Sequence, residues 1–170
     1  MHARFPRIAL ALLLLAAFAP QVAQGQRGAA VSPTAAQFAA RAAASGIAEV
    51  RMSQLALDWA AAPAVRDFAT QMLADHGQGN AQLEALARSK GIPLPRDPDE
   101  TQRQVIARLS TLRGAEFDRV FVEAMRQAHE KDVALFESAT SRNFPDPELR
   151  GLAIEMLPIL RQHLETVGRL

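Results

Sequence analysis

The residues best suited to chemistry in this sequence are three histidines and a glutamate, each spaced to lie on the apolar stripe of its own helix. His76 recurs with Val65, Phe68, Ala69, Met72, Gly79, Leu83 and Leu86. His129 recurs with Phe117, Phe121, Met125, Val133 and Phe136, and His163 with Leu149, Leu152, Met156, Leu160 and Val167. Glu49 shares a fourth stripe with Phe38, Ala42, Ser45, Met52, Ala56 and Trp59. Spacings of three and four place such residues on one helix face. Neutral imidazole suits Zn, Cu, Fe and Ni, and a carboxylate adds charge compensation. A carboxylate on a buried stripe must otherwise be neutral or paired. We therefore expect Glu49, His76, His129 and His163 to converge on one transition-metal ion, Zn, Cu or Fe, with Asp75 and Asp132 as outer carboxylates that orient the ligands. Met72 and Met125 each precede a histidine by four residues and offer thioethers, a soft addition suited to Cu(I), although methionine is also an ordinary core filler. The competing expectation for the same residues is a core polar network without metal, each imidazole donating through one nitrogen and accepting through the other. On that reading Asp75 and Asp132 are solvated helix charges.

Other chemistry finds little support. With no Cys there is no disulfide, no Cys-zinc site, no iron-sulfur cluster and no thiol nucleophile. A di-iron carboxylate centre needs Glu three residues before His on two helices, but Leu73, Arg126 and Leu160 hold those positions. The chain has no Gly-rich phosphate loop, no nucleophile elbow and no His-Glu-x-x-His zinc helix. No catalytic residue and no organic cofactor site is expected.

Four helices must position these groups. The 170 residues include 34 Ala and only 5% aromatics, which favours helix over sheet and one all-α domain. Residues 1–25 read as a secretory signal peptide: Arg4 and Arg7 without acids, an apolar run from Ile8 to Ala19, then small residues up to Gly25. That run is short of the roughly 20 residues a bilayer span needs, so cleavage is expected rather than retention as an anchor. Residues 26–32 read as a flexible segment, and residues 33–170 as the folded domain. Ser32-Pro33 opens a first helix that ends near Ala61, and Pro63 opens a second that Gly91, Pro93 and Pro95 close. A Pro-rich connector, a short helix from about Asp99 to Leu112 and a break at Gly114 lead to the third long helix. The turn Asn143-Phe-Pro-Asp-Pro precedes the fourth, in which Pro158 should cause a kink. Gly77 and Gly79 beside His76 suggest either close approach by a neighbour or simple tolerance. Short turns within each hairpin and a long connector between hairpins are the connectivity of a ferritin-like four-helix bundle with one crossover. Glu49 lies about 12 residues before the first turn and His76 about 13 after it, roughly 18–20 Å along the axis. His129 and His163 sit at similar depths from the opposite turn, so the four meet mid-bundle.

The two hairpins echo each other. Pro63-Ala-Val-Arg-Asp-Phe-Ala-Thr-Gln-Met-Leu and Pro147-Glu-Leu-Arg-Gly-Leu-Ala-Ile-Glu-Met-Leu repeat Pro, an aliphatic residue, Arg, Ala, Met and Leu at equal offsets, as duplication would produce. Ser45-Gly-Ile-Ala-Glu-Val-Arg-Met-Ser-Gln-Leu-Ala, Val65-Arg-Asp-Phe-Ala-Thr-Gln-Met-Leu-Ala-Asp-His, Gly114-Ala-Glu-Phe-Asp-Arg with His129, and Leu157-Pro-Ile-Leu-Arg-Gln-His-Leu together resemble the bacterial domain-of-unknown-function 4142 (DUF4142) family. The resemblance covers roughly Gln37 to Leu170. It implies an exported ferritin-like bundle with no settled activity, and its motif positions here are Glu49, Asp75, His76, His129, Pro158 and His163. Members are often labelled outer-membrane proteins, which fits poorly with a chain lacking the alternating strands of a barrel.

These features lead to an exported bundle, periplasmic, secreted or associated with the outer membrane, that binds a metal ion in envelope stress or metal handling. The alternatives are a structural or interaction bundle and a metal-dependent redox enzyme. Removing Arg4 and Arg7 takes the formal net charge from +1 to −1, and the remaining arginines are scattered among acids. No nucleic-acid footprint remains. No transmembrane segment is expected in the mature chain; a homo-oligomer or an envelope protein stays open as partner.

Overall fold

The computed structural model describes residues 32–170, so the expected signal peptide and nearly all of the 26–32 segment lie outside the described residues. The fold is all-α. Five helices follow in order: α1 (Pro33–Trp59), α2 (Pro63–Lys90), α3 (Glu100–Ser110), α4 (Gly114–Ala139) and α5 (Pro147–Val167). Among the described residues no helix is long and apolar enough to cross a membrane.

Local signals account for the boundaries. Pro63 and Pro147 occupy first-turn positions, where a missing N–H costs nothing. Gly91 ends α2 in the left-handed region at φ 65°, and Ile92 N–H reaches back to Ala87 O at 2.9 Å. Asp99 and Gln102 form a reciprocal capping box at 2.8 Å each, so the short helix begins at Glu100 and is shorter at both ends than its pattern suggests. Asp146 caps α5 through Glu148 and Leu149 N–H, and its carboxylate also meets Lys90 Nζ at 3.0 Å, tying the end of α2 to the start of α5. Asp118 on α4 accepts from Ala61 and Ala62 N–H and closes the α1–α2 turn from outside. Helix α5 continues through Pro158, which lies on its exposed side.

Helices α1 and α2 form one hairpin and α4 and α5 the other; α1 also packs on α4, and α2 on α5, closing a four-helix bundle. The connector with α3 leans on α1 and α4 as the single long crossover. Two apolar clusters fill the ends. One gathers Phe38, Leu83, Ala87, Ile92, Phe136, Leu149 and Leu152; the other gathers Met52, Phe68, Met72, Leu109, Phe117, Phe121, Met125 and Val167. Phe38 meets Phe136 edge-on at 5.2 Å in the first, and Phe117 stacks on Phe121 at 5.8 Å in the second. The buried alanines of α1, from Ala35 to Ala56, let its neighbours approach closely. Between the two clusters lies a buried polar layer.

Candidate metal centre

Each long helix contributes at least one titratable side chain to that layer, and α4 places both His129 and Asp132 there. Glu49, His129 and His163 have no exposed surface and His76 is 4% exposed. The ring centroids of the three histidines form a nearly equilateral triangle with edges of 5.3, 5.4 and 5.5 Å. One nitrogen from each ring lies within 4.8 Å of the others. Phe68 abuts His129 and His163 at 6.5 and 6.2 Å, an apolar wall on that side.

The outer nitrogens are largely committed. His129 Nδ1 donates to Met125 O at 2.9 Å, because a carbonyl can only accept. His163 Nε2 donates to the Asp75 carboxylate at 2.8 Å. His76 Nδ1 lies 3.1 Å from Glu49 Oε2, and His129 Nδ1 lies 3.3 Å from Glu49 Oε1, but both contacts are too poorly aligned to count as hydrogen bonds. In neutral rings His129 Nε2 and His163 Nδ1 are therefore bare lone pairs, and they face each other at 3.3 Å. Such a contact requires a proton or a cation. His76 Nε2 and Ser53 Oγ are fully buried with no partner; the oxygens of Glu49 are buried without a donor while the group is ionised, and its protonated carboxyl bonds to Asp132.

The chain's relatives now bear on this arrangement. Residues 20–170 match the domain of unknown function DUF4142. The chain belongs to the DUF4142 family. Its fold is shared by a solved DUF305 fragment from Deinococcus radiodurans, at a TM-score of 0.72 and 22% identity over 84% of this chain and 100% of that one. A comparison with curated proteins finds none that matches.

Electrostatics in the DUF4142 layer follow from burial. Burial, and then the nearby His129 and His163, hold His76 well below the usual imidazole range. Burial also lowers His129 to about 4, against its bond to Met125 O, with His163 adding to the decrease. Glu49 is pushed well above the carboxylate range by burial, then by the charge of the Asp132 carboxylate and by the hydrogen bond its protonated carboxyl makes to Asp132. Asp132 rises to about 6 by burial, although hydrogen bonds from Ser45 and from the Glu49 carboxyl, and the charges of Arg41 and Lys131, oppose the shift. Near neutral pH the layer thus presents His76 and His129 as neutral bases.

The three histidines bring one nitrogen each to a common point, whereas Glu49, expected as a fourth ligand, lies in the same layer but behind the rings. Glu49 stands at the Nδ1 edges of His76 and His129. Asp75 serves His163 across the α2–α5 interface rather than its neighbour His76. Asp132 is 5% exposed and accepts from Ser45 Oγ at 2.8 Å, which excludes a solvated helix charge. Met72 and Met125 are fully buried in an apolar cluster with Phe68 and Phe121, and the contact Met125 makes to His129 is through its carbonyl. Gly79 is a close approach, since a Cβ there would sit 2.7 Å from Met156 Cε, whereas Gly77 faces open space. Sequence reasoning assigned no role to Ser45, Ser53 or Asn80. Two of these carried a signal, because Ser45 and Ser53 flank Glu49 by four residues on either side.

Proposed function

We propose that this DUF4142 protein is an exported bundle that holds one transition-metal ion on His76, His129 and His163. The observation that carries the reading is the convergence of three imidazoles, two of which, His129 and His163, donate from their outer nitrogens to a carbonyl and a carboxylate that fix their tautomers for metal binding. The donor set suits Zn, Cu or Fe. Glu49 and Asp75 supply two carboxylates behind the rings, which offset a divalent charge in a dry interior. Beside His76 the interior opens only into a cavity of about 20 Å³, room for one water-sized ligand. That scale supports holding or handling a metal in the envelope over turnover of an organic substrate. The N-terminal Arg, apolar and small-residue pattern supports export to the periplasm.

The test is metal analysis of protein refolded and offered Zn, Cu, Fe and Mn separately, repeated on His76→Ala and His163→Ala. One equivalent of a transition metal in the parent, with affinity at least a hundredfold weaker in each variant, is the expected result. Equal uptake by parent and variants overturns it. The second reading is a metal-free polar network, favoured by the 3.3 Å contact of His129 Nε2 with His163 Nδ1. There a proton bridges the two rings, and Asp75 balances the resulting imidazolium.

A further inference from the structure

Three imidazoles with at most 4% of their surface exposed cannot receive an ion unless part of the wall around them opens. Two surface grooves come within one side chain of the layer. The first, about 500 Å³, runs between α1, α2 and the Pro-rich connector, and Asn80 and Leu83 line both it and the small cavity beside His76. The second, about 340 Å³, lies between α1, α3 and α4 and shares Asp132 with that cavity.

The walls differ in what holds them. Asp132 is 5% exposed and is fixed by Ser45 Oγ at 2.8 Å. Leu83 is 3% exposed and belongs to the apolar cluster of Phe38 and Phe136. Asn80 is half-buried, and its amide enters no hydrogen bond among the described residues. It sits in the notch left by Gly46, where a Cβ would lie 2.0 Å from its Oδ1. A side chain that fills a gap without being bonded there can rotate into the groove while both helix backbones stay in place. We infer that Asn80 is the gate through which a metal ion enters and leaves the imidazole centre, by way of the α1–α2 groove. The inference rests on the three-histidine metal reading and adds to it the route and the residue that sets the rate. A barrier common to both directions governs binding and release equally, so the gate acts on rates and not on affinity.

The test uses the full chain and Zn²⁺, with association and release both read by exchange with a chromophoric chelator. Asn80→Ala should raise both rates at least tenfold and leave Kd within threefold. Asn80→Leu refills the notch with a similar volume and should bring both rates back to within threefold of the parent. Rates unchanged in Asn80→Ala, in a protein that binds Zn²⁺ through its histidines, overturn the gate alone. A larger acceleration by Ser45→Ala, which frees Asp132 on the opposite wall, places entry there and also overturns it. Leu109→Ala loosens the apolar cluster away from Asn80; acceleration equal to that of Asn80→Ala would show entry by general loosening of the bundle and overturn the gate. Failure of the metal reading is seen separately at equilibrium, as equal Zn²⁺ uptake by parent and His163→Ala, and overturns this route with it.

Discussion

His129 and His163, from the α4–α5 hairpin, are each held by a good hydrogen bond, to Met125 O at 2.9 Å and to Asp75 at 2.8 Å. On the α1–α2 side Ser53 Oγ and His76 Nε2 have no partner, and Glu49 finds one only when its protonated carboxyl bonds to Asp132. The two sides lie at the same depth and are equally dry, so burial does not explain the difference. A polar group left unsatisfied in a core costs about 1–3 kcal/mol, and more if charged. One side is thus preorganised by the protein, while the other keeps a penalty that a proton shared by Glu49 and Asp132 relieves only in part. The contrast can be broken by pH, by substitution on either side, and by the helix that carries His76.

The largest expected effect is on the pH dependence of the metal-free protein. His129 is lowered from 6.5 to about 4, so it contributes stability that is fully present above about pH 6.5 and is lost as pH falls towards 4, roughly 3 kcal/mol in all. His76 acts in the same direction. Asp132, raised from 3.8 to about 6, acts in the opposite sense: its contribution is present below about pH 4 and is lost as pH rises through 6. Glu49 shares that sign. Denaturant unfolding in chelator between pH 4 and 7 should therefore show a steeper acid loss for Asp132→Asn than for the parent. His129→Gln should flatten or reverse the slope. Parallel profiles for all three would show that neither group carries the linkage.

The next effect in size is a gain. Replacing a buried, poorly paired ionisable group by an apolar group of similar volume is often neutral or stabilising by about 1–4 kcal/mol. Glu49→Met should accordingly raise the stability of the metal-free protein by about 2 kcal/mol, several degrees in Tm. His129→Met should lower it, because that ring is hydrogen-bonded and packed against Phe68. If both substitutions destabilise, the α1–α2 side is not a reservoir of strain.

Asp75→Asn probes the satisfied side. Loss of the charged partner behind a metal-bound imidazole typically weakens metal binding by about 10–100-fold. We expect that range for Zn²⁺, read by competition with a chromophoric chelator, while Asp67→Asn on the same helix should change nothing measurable. An effect below threefold for Asp75→Asn would mean that Phe68 packing, not the carboxylate, orients His163.

Much of this layer was legible before the fold. Stripe spacing places Glu49, His76, His129 and His163 on four helices, and connector lengths place them at one level. Periodicity cannot give the register between helices, and the misread residues all depend on it. Asp75 lies next to His76 in sequence, yet one residue is a rotation of about 100° on a helix, which turns it to the α2–α5 interface and His163. Asp132 reads as a surface charge until Ser45 of α1 is found opposite. Asn80 fills the notch left by Gly46, where a Cβ would lie 2.0 Å from its Oδ1, a fit visible only once α1 and α2 are side by side.

The smallest expected effect separates two causes of the loose side. Helix α2 carries glycines at 77 and 79, one residue and three beyond His76, so weak helix propensity alone could explain poor anchoring of that ring. A Cβ at Gly77 would meet nothing within 4 Å, so Gly77→Ala should stabilise the protein by about 0.5–1 kcal/mol through helix propensity. Gly79→Ala gains the same propensity but must push Met156 Cε from 2.7 Å, which cancels much of the gain. If missing partners leave His76 and Glu49 unsatisfied, Gly77→Ala raises Tm and leaves Zn²⁺ affinity within threefold. A tenfold or larger gain in affinity would instead locate the looseness in the α2 backbone, and the contrast between the two sides would then be one of helix rigidity rather than of missing hydrogen-bond partners.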